Sequence, residues 1–397
     1  MPKHILIVGG GVGGTITANL LAHTLSPQEA EVTLISASED HLYMPAWLYI
    51  PFQGQDNSDA RPESSLLDPR VKFIVGTATH IDTKQREVTV EPPPQADLIG
   101  NMGGAKKATF AYDYLVLATG ARLYLEDLPG LSEGLGKWHD FYHREGAQNL
   151  YQALQEFQKG RIVVAIGGVP YRCPPAPLEF VFLLDEWLSK RGIRDQVEIE
   201  YLYPLPRVFP IETVAELVTP LLEERKIKYQ TFVNLAEVDT EKRQLTSLEG
   251  DSFTYDLLVI VPPHRGAKVI EESGLGDAQG WLPTDRYTLE VKGQEGVFAI
   301  GDATDLPVSK SGSAAHFEAK VVTARIVASL REEAQDTDTA LYDGEVMCFL
   351  ETGYGKATQL VFDYSHPPAP PRPNRYYHLE KQLFNRLYWY IVPSGRV

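Results

Sequence analysis

The segment Ile5-Leu-Ile-Val-Gly-Gly-Gly-Val-Gly-Gly14 constrains the fold of this chain more than any other. An apolar run ends in Gly9-x-Gly11-x-x-Gly14, a helical stretch is predicted over Thr15–Leu25, and a second apolar run, Glu31–Ser36, closes the unit. Strand, glycine turn, helix and strand in that order form a dinucleotide-binding unit, because glycines allow the tight turn, the close approach of a pyrophosphate and the packing of helix on strand. Gly9, Gly11, Gly13 and Gly14 are therefore expected to hold a phosphate at a helix amino terminus. The carboxylate that usually grips a ribose after the second strand is absent; Ser36 takes its place, with Ser38 and Glu39 close by.

Two later segments extend this reading. Tyr112-Asp-Tyr-Leu-Val-Leu-Ala-Thr-Gly-Ala121 is a strand ending in Ala118-Thr119-Gly120, and Gly296-Val-Phe-Ala-Ile-Gly-Asp302 is a strand ending in Gly301-Asp302. Both endings recur in flavoproteins built on two dinucleotide folds, and Asp302 is expected to meet a flavin ribityl hydroxyl. The implied cofactor is FAD. Lys310-Ser-Gly-Ser-Ala-Ala-His-Phe-Glu-Ala-Lys320 then opens a helix through about Leu330, whose first N–H groups would face the flavin N1–C2=O edge and stabilise its anionic reduced form. Lys310 adds charge there or is a solvated surface lysine; His316 joins the cofactor site or is a satisfied structural histidine.

Arg161-Ile-Val-Val-Ala-Ile-Gly-Gly-Val-Pro-Tyr-Arg-Cys-Pro-Pro-Ala-Pro-Leu-Glu179 begins as another such unit and then departs from it. Only Gly167 and Gly168 remain, bulky Tyr171 follows, and Pro174, Pro175 and Pro177 lack the N–H groups that an anion needs. Instead the turn delivers Cys173 near the start of a helix predicted over Ala176–Arg191, where a thiolate would be stabilised. The bland alternative is a small buried hydrophobe, the common fate of a free cysteine.

Composition narrows the class. The 397 residues suffice for two or three domains, and a formal net charge of −16 argues against nucleic acid as a partner. Two cysteines exclude a disulfide scaffold, and no metal site is expected. With a strand beginning at His4, no cleavable signal peptide is expected. The fold class is α/β, with two Rossmann-like dinucleotide-binding domains of the glutathione-reductase-like flavoprotein type and a carboxy-terminal amphipathic region. The expected division is residues 1–125 and 256–335 for the FAD domain, 126–255 for the second domain carrying Cys173, and 336–397 for the carboxy-terminal part. Residues 92–107 are read as an exposed loop, and helices are predicted over Gln148–Lys159 and Ile211–Lys226.

The glycine turn, Ala118-Thr-Gly120, Cys173-Pro-Pro-Ala-Pro177, Val261-Pro-Pro-His264, Gly301-Asp302 and Cys348-Phe-Leu-Glu-Thr-Gly353 together resemble the sulfide:quinone oxidoreductases and the related flavocytochrome c sulfide dehydrogenases. The resemblance spans nearly the whole chain. It implies that Cys173 and Cys348 form a redox pair beside the flavin, with Glu179 as the base that assists the thiol. Many quinone reductases of that family have a third cysteine in the region that here reads Lys137–His143; either His139 or His143 assists protons in its place, or the chain uses a two-cysteine cycle. No cysteine lies between Ser36 and Pro45, so non-covalent FAD is implied.

Between Tyr376 and Ile391 apolar residues recur at helical spacing, Tyr and Trp crowd the same stretch, and five basic residues stand against Glu380 from Arg372 to Val397. That pattern suits a helix lying in a membrane interface, or a terminal helix packed on the core. The resemblance assigns Lys381 and Phe384, with Tyr388 on the same helix, to a quinone pocket on the opposite flavin face. The resulting expectation is a monotopic, homo-oligomeric FAD-dependent sulfide:quinone oxidoreductase whose partners are sulfide, quinone and membrane lipid. Alternatives are a sulfide dehydrogenase donating to a cytochrome, a type II NADH:quinone reductase, and a redox-sensing flavoprotein without turnover.

Overall fold

The structure, a computed structural model, describes residues 1–54, 59–93, 95–96, 102–103, 107–332 and 340–395. The amino-terminal strand Lys3–Val8 lies inside a five-stranded parallel sheet whose other strands are Ala30–Ser36, Lys72–Val75, Tyr114–Leu117 and Val297–Ala299. Ile5, Leu6 and Ile7 are all fully buried. Continuous apolar runs of this kind are what a parallel strand needs, because helices or loops cover both of its faces. The first strand has Ala30–Ser36 on one side and Tyr114–Leu117 on the other, so the chain reverses its winding there and leaves a crevice at the strand's carboxyl end. Gly9 to Gly14 occupy that crevice.

A second parallel sheet, ordered Lys228–Gln230, Val197–Leu202, Gly160–Ile166 and Leu257–Val261, repeats the arrangement. Its switch point falls after Ile166, so the Gly167 to Cys173 turn stands where a second dinucleotide would bind. Two three-stranded antiparallel sheets flank the parallel ones, and the hairpin Val346–Glu351 with Ala357–Phe362 carries Cys348.

Several boundaries differ from expectation. The first helix is Val12–Thr24, so Gly13 and Gly14 already lie in its opening turn. A helix forms over Arg144–Glu156 because His143 is extended and starts it early; Ala147, Leu150 and Leu154 then face the core. Another spans Glu212–Glu224. Most of the 92–107 insertion lies outside the described residues. The chain ends in the helix Arg375–Ile391, capped by Asn374, whose side chain accepts hydrogen bonds from Tyr376 N–H and Tyr377 N–H. Among the described residues no helix is long and apolar enough to cross a membrane.

Candidate active site

The glycine cradle is packed too tightly for side chains at some positions and open at others. A Cβ on Gly9 would stand 2.1 Å from the Ala118 carbonyl oxygen, and one on Gly14 would stand 1.9 Å from the Gly9 carbonyl oxygen. Gly9 also has φ of +118°, which only glycine adopts without strain. Gly13 abuts Ile300 and Ala315, so the first helix and the helix Gly312–Leu330 meet with their amino termini side by side. Gly11 and Gly120, by contrast, face open space. The Thr119 hydroxyl is buried without a hydrogen-bond partner among the described residues. Ser36 is buried against Gly10, and its hydroxyl accepts from Ser38 N–H at 3.3 Å.

Asp302 lies in the short turn Gly301–Ala303. Burial pushes its carboxyl above the usual range, while Arg172 and Lys310 pull it back. Lys310 is not a solvated surface residue. Its side chain is buried, its Nζ donates to the Thr304 carbonyl at 2.6 Å and lies 3.9 Å from the Trp281 ring centroid, and burial lowers its pKa. His316 stands on the following helix with its ring edge-on to Phe317.

The second turn is filled by protein. A Cβ on Gly167 would come within 2.8 Å of the Val261 carbonyl oxygen, Gly168 packs on Pro263, and buried Tyr171 is hydrogen-bonded through its hydroxyl to that of Tyr203 at 3.1 Å. Cys173 sits ahead of the helix Ala176–Lys190, with φ of +51°. Its N–H donates to the Lys310 carbonyl at 2.7 Å and its own carbonyl accepts from Ala176 N–H at 2.9 Å. The helix end expected to stabilise a thiolate is opposed here by the thiol's surroundings. Burial, together with Glu179 and Cys348, holds the Cys173 thiol well above its ordinary range. A helix terminus supplies about 0.3–1 kcal/mol. Cys173 is half-buried, and desolvation there works against that contribution.

Cys348 reaches the same place from the hairpin. Burial and Glu179 push its thiol up to about 12, with the Ser311 hydroxyl pulling the other way. Residues 310 and 311 therefore touch both cysteine environments, Lys310 through its carbonyl and Ser311 through its hydroxyl. Both cysteines are free thiols packed against one apolar core. Glu179, on the helix after Cys173, accepts from Glu351 N–H at 2.7 Å and pairs with Lys381 Nζ. Burial raises the Glu179 pKa, and Lys381 opposes that rise.

Residues 3–324 match the family described as Pyridine nucleotide-disulphide oxidoreductase. The chain belongs to that family. A mitochondrial sulfide:quinone oxidoreductase of Dictyostelium discoideum is 28% identical over 408 residues, covering 99% of this chain and 86% of the relative. A type II NADH:quinone oxidoreductase of Staphylococcus aureus is 27% identical, covering 76% of this chain and 74% of its own. The X-ray structure of the sulfide:quinone oxidoreductase from Aquifex aeolicus superposes with a TM-score of 0.81 at 23% identity, covering 99% of this chain and 92% of that one.

As a pyridine nucleotide-disulphide oxidoreductase the chain is a flavoprotein, and its residues fit FAD. The open faces of Gly11 and Gly120, the unpartnered Thr119 hydroxyl and the two adjoining helix amino termini provide the room and the donors that a dinucleotide requires.

The remaining sequence candidates are less closely grouped. Lys381, Phe384 and Tyr388 share one face of the last helix, but Lys381 turns to Glu179 while Tyr388 bonds to His41 Nε2 at 2.7 Å. Phe384 is half-buried against the core of the first domain. His139 lies beside Val259 of the second sheet, where burial lowers its pKa; Asp140 raises that of His143.

Sequence reasoning passed over several groups. Arg172 donates to the Tyr142 carbonyl at 2.8 Å and to neutral His264, whose pKa burial depresses to about 3. A fully buried chain of hydrogen bonds runs from Thr15 through Glu63 and His41 to Tyr388, fastening the last helix to the first. Glu318 accepts from Gly301 N–H, and burial pushes its carboxyl up to about 8. Glu351 holds His378 Nδ1 at 3.0 Å. Of these, Arg172, His264, Glu318 and Glu351 lie within segments that the sequence singled out, while Glu63 and His41 had no such signal.

Proposed function

We propose that the chain is an FAD-dependent sulfide:quinone oxidoreductase in which Cys173 and Cys348 form the sulfide-oxidising pair. The observation that carries this reading is the convergence of the Cys173 turn, residues 310 and 311, and the Cys348 strand on one buried carboxyl, Glu179. In the oxidised pair, HS⁻ attacks the bridge: the bond between the two cysteine sulfurs breaks, one cysteine gains the incoming sulfur as a persulfide, and the other leaves as a thiolate. Closing the bridge through the extra sulfur releases two electrons and one proton. Non-covalently held FAD supplies the two-electron relay to quinone. Because burial holds both thiols protonated, a base must take the proton, and Glu179 stands where it reads both cysteines. Lys381 opposes the burial that favours the protonated form of that carboxyl and so helps it to act as a base.

Quinone is taken near Phe384, Lys381 and Tyr388, and the exposed stripe of the last helix sets the protein on the membrane as a peripheral homo-oligomer. Tyr376, Leu379, Leu383 and Tyr390 are 57–69% exposed, at spacings of three, four and seven residues along that helix. A type II NADH:quinone reductase reading meets the filled second turn, where Pro263 and Tyr171 stand in place of a pyrophosphate.

Anaerobic titration of the flavin tests the reading. Stoichiometric sulfide should bleach the absorbance, soluble quinone should restore it, and Cys173→Ser should abolish bleaching while retaining flavin. Bleaching by NADH with an unaffected Cys173→Ser variant would overturn it.

A further inference from the structure

A cavity of about 540 Å³ separates the last helix from residues 43–54 and 59–61. It lies on a different edge of the helix from Lys381 and Phe384 and is lined by Gln382, Asn385, Arg386, Trp389 and Tyr390 on one side and by Arg61 opposite. Arg61 stacks over the Trp389 and Tyr390 rings, 5.1 and 5.2 Å from their centroids. Among the described residues neither Arg61 nor Arg386 pairs with a carboxylate. In a chain of net charge −16, two guanidinium groups without acidic partners at one cavity are a local inversion of sign.

Among the described residues the one carboxylate in the lining, Asp59, does not offset them. Its side chain is fully buried, its Oδ1 meets the Arg144 guanidinium and its Oδ2 accepts from Trp47 Nε1–H at 3.0 Å. Asn385 accepts through Oδ1 from the Tyr43 hydroxyl at 2.5 Å, which leaves its amide N–H groups as donors. Two planar guanidiniums and an amide are the donor set for a phosphodiester. The cavity adjoins the exposed apolar stripe, since Tyr390 belongs to both and Leu383 and Leu387 lie seven and three residues before it on the same helix. A ligand with a phosphate head and acyl chains matches both surfaces at once.

We propose that this cavity is a binding site for the headgroup of an anionic phospholipid, with Arg61 and Arg386 holding the phosphate and the acyl chains lying along Leu383 and Leu387. The proposal rests on the membrane placement above and adds to it a lipid preference. Arg61 reaches the interface from a part of the chain remote from the last helix, so the site makes docking depend on a folded cavity and not on an amphipathic stripe alone.

Co-sedimentation of the flavin-loaded protein with phosphatidylcholine vesicles, with and without added phosphatidylglycerol, tests this. Wild type should prefer the anionic vesicles, and Arg61→Gln/Arg386→Gln should lose about tenfold or more of that preference while binding neutral vesicles as before. The Arg61→Lys/Arg386→Lys variant should recover part of it, and absorbance of retained flavin identifies any variant that has not folded. Turnover with sulfide and a soluble quinone should be unchanged. An equal preference in wild type and the glutamine variant would overturn the proposal, as would protection of wild type against thermal unfolding by inorganic phosphate without any vesicle preference, which would mark a free-anion site. Loss of binding to all vesicles in wild type would instead refute the membrane placement itself.

Discussion

Lys381 and Glu179, 202 residues apart in sequence, form a buried ion pair. It joins the helix that follows Cys173 to the helix that carries the aromatic stripe, so the two ends assigned to sulfide and to quinone share a charge. Tyr49 stands beside it, with Lys381 Nζ 5.6 Å from its ring centroid and its hydroxyl 3.4 Å from a Glu351 oxygen. Proton transfer at Glu179 must therefore be felt by Lys381.

Removing one partner should cost more than removing both. Lys381→Met leaves a carboxylate buried without its counter-charge and should destabilise the protein by about 3–5 kcal/mol, whereas adding Glu179→Gln should recover part of the loss. Urea unfolding of the two single variants and the double variant gives the coupling energy; additive losses would show that the two side chains do not interact.

Cys348 contributes to the loss of stability at alkaline pH. Cys348 holds its proton up to about 12, above the ordinary thiol value of 9.0, so it favours the folded state fully below pH 9 and loses that contribution as pH rises towards 12. The stability curve of Cys348→Ala should fall less steeply over that interval. Alkylation of the native thiols should likewise accelerate only well above pH 9.

Glu318 acts in the neutral range. Its carboxyl titrates near 8 in the fold against an ordinary 4.5, so its contribution is complete below about pH 4.5 and is lost as pH rises through 8. Glu318→Gln fixes the neutral form and should flatten the unfolding free energy between those limits. An unchanged pH profile in the variant would show that the carboxyl is ionised throughout.

Flavin retention should depend on Gly14 sharply. The added methyl of Gly14→Ala stands 1.9 Å from the Gly9 carbonyl oxygen, a distance that backbone atoms do not tolerate, so the turn must open. The purified variant should be nearly colourless, with the ratio of flavin to protein absorbance far below that of wild type. Gly11→Ala, whose methyl meets no protein atom within 4 Å and points into the open space assigned to the cofactor, should keep the fold and still lose flavin, so unfolding and colour separate the two variants.

Much of the fold was legible because it is written in local chemistry. Apolar strands, glycine turns and helix starts repeat at each switch point, and these identified both parallel sheets before any contact was known. What stayed hidden depends on long-range packing. No local pattern says that Glu63 and His41 meet Tyr388, or that Lys381 turns inward while Leu383 turns outward on the same helix. The surroundings of Cys173 were hidden for the same reason: proximity to a helix start can be read from prolines, but the neighbouring Glu179 and Cys348 that oppose ionisation there cannot.

The closing of the second glycine turn reaches beyond the turn itself. With Pro263 against Gly168 and the Tyr171 ring buried beneath, half of a fold adapted to nucleotides serves as a rigid mount for one sulfur. On the proposed reading, a hydride donor of the nicotinamide kind would lack here the glycine-lined seat that the first turn keeps. Electrons would then enter only through the cysteine pair, so the protein's redox state would follow sulfide and stand apart from the cell's pool of such carriers.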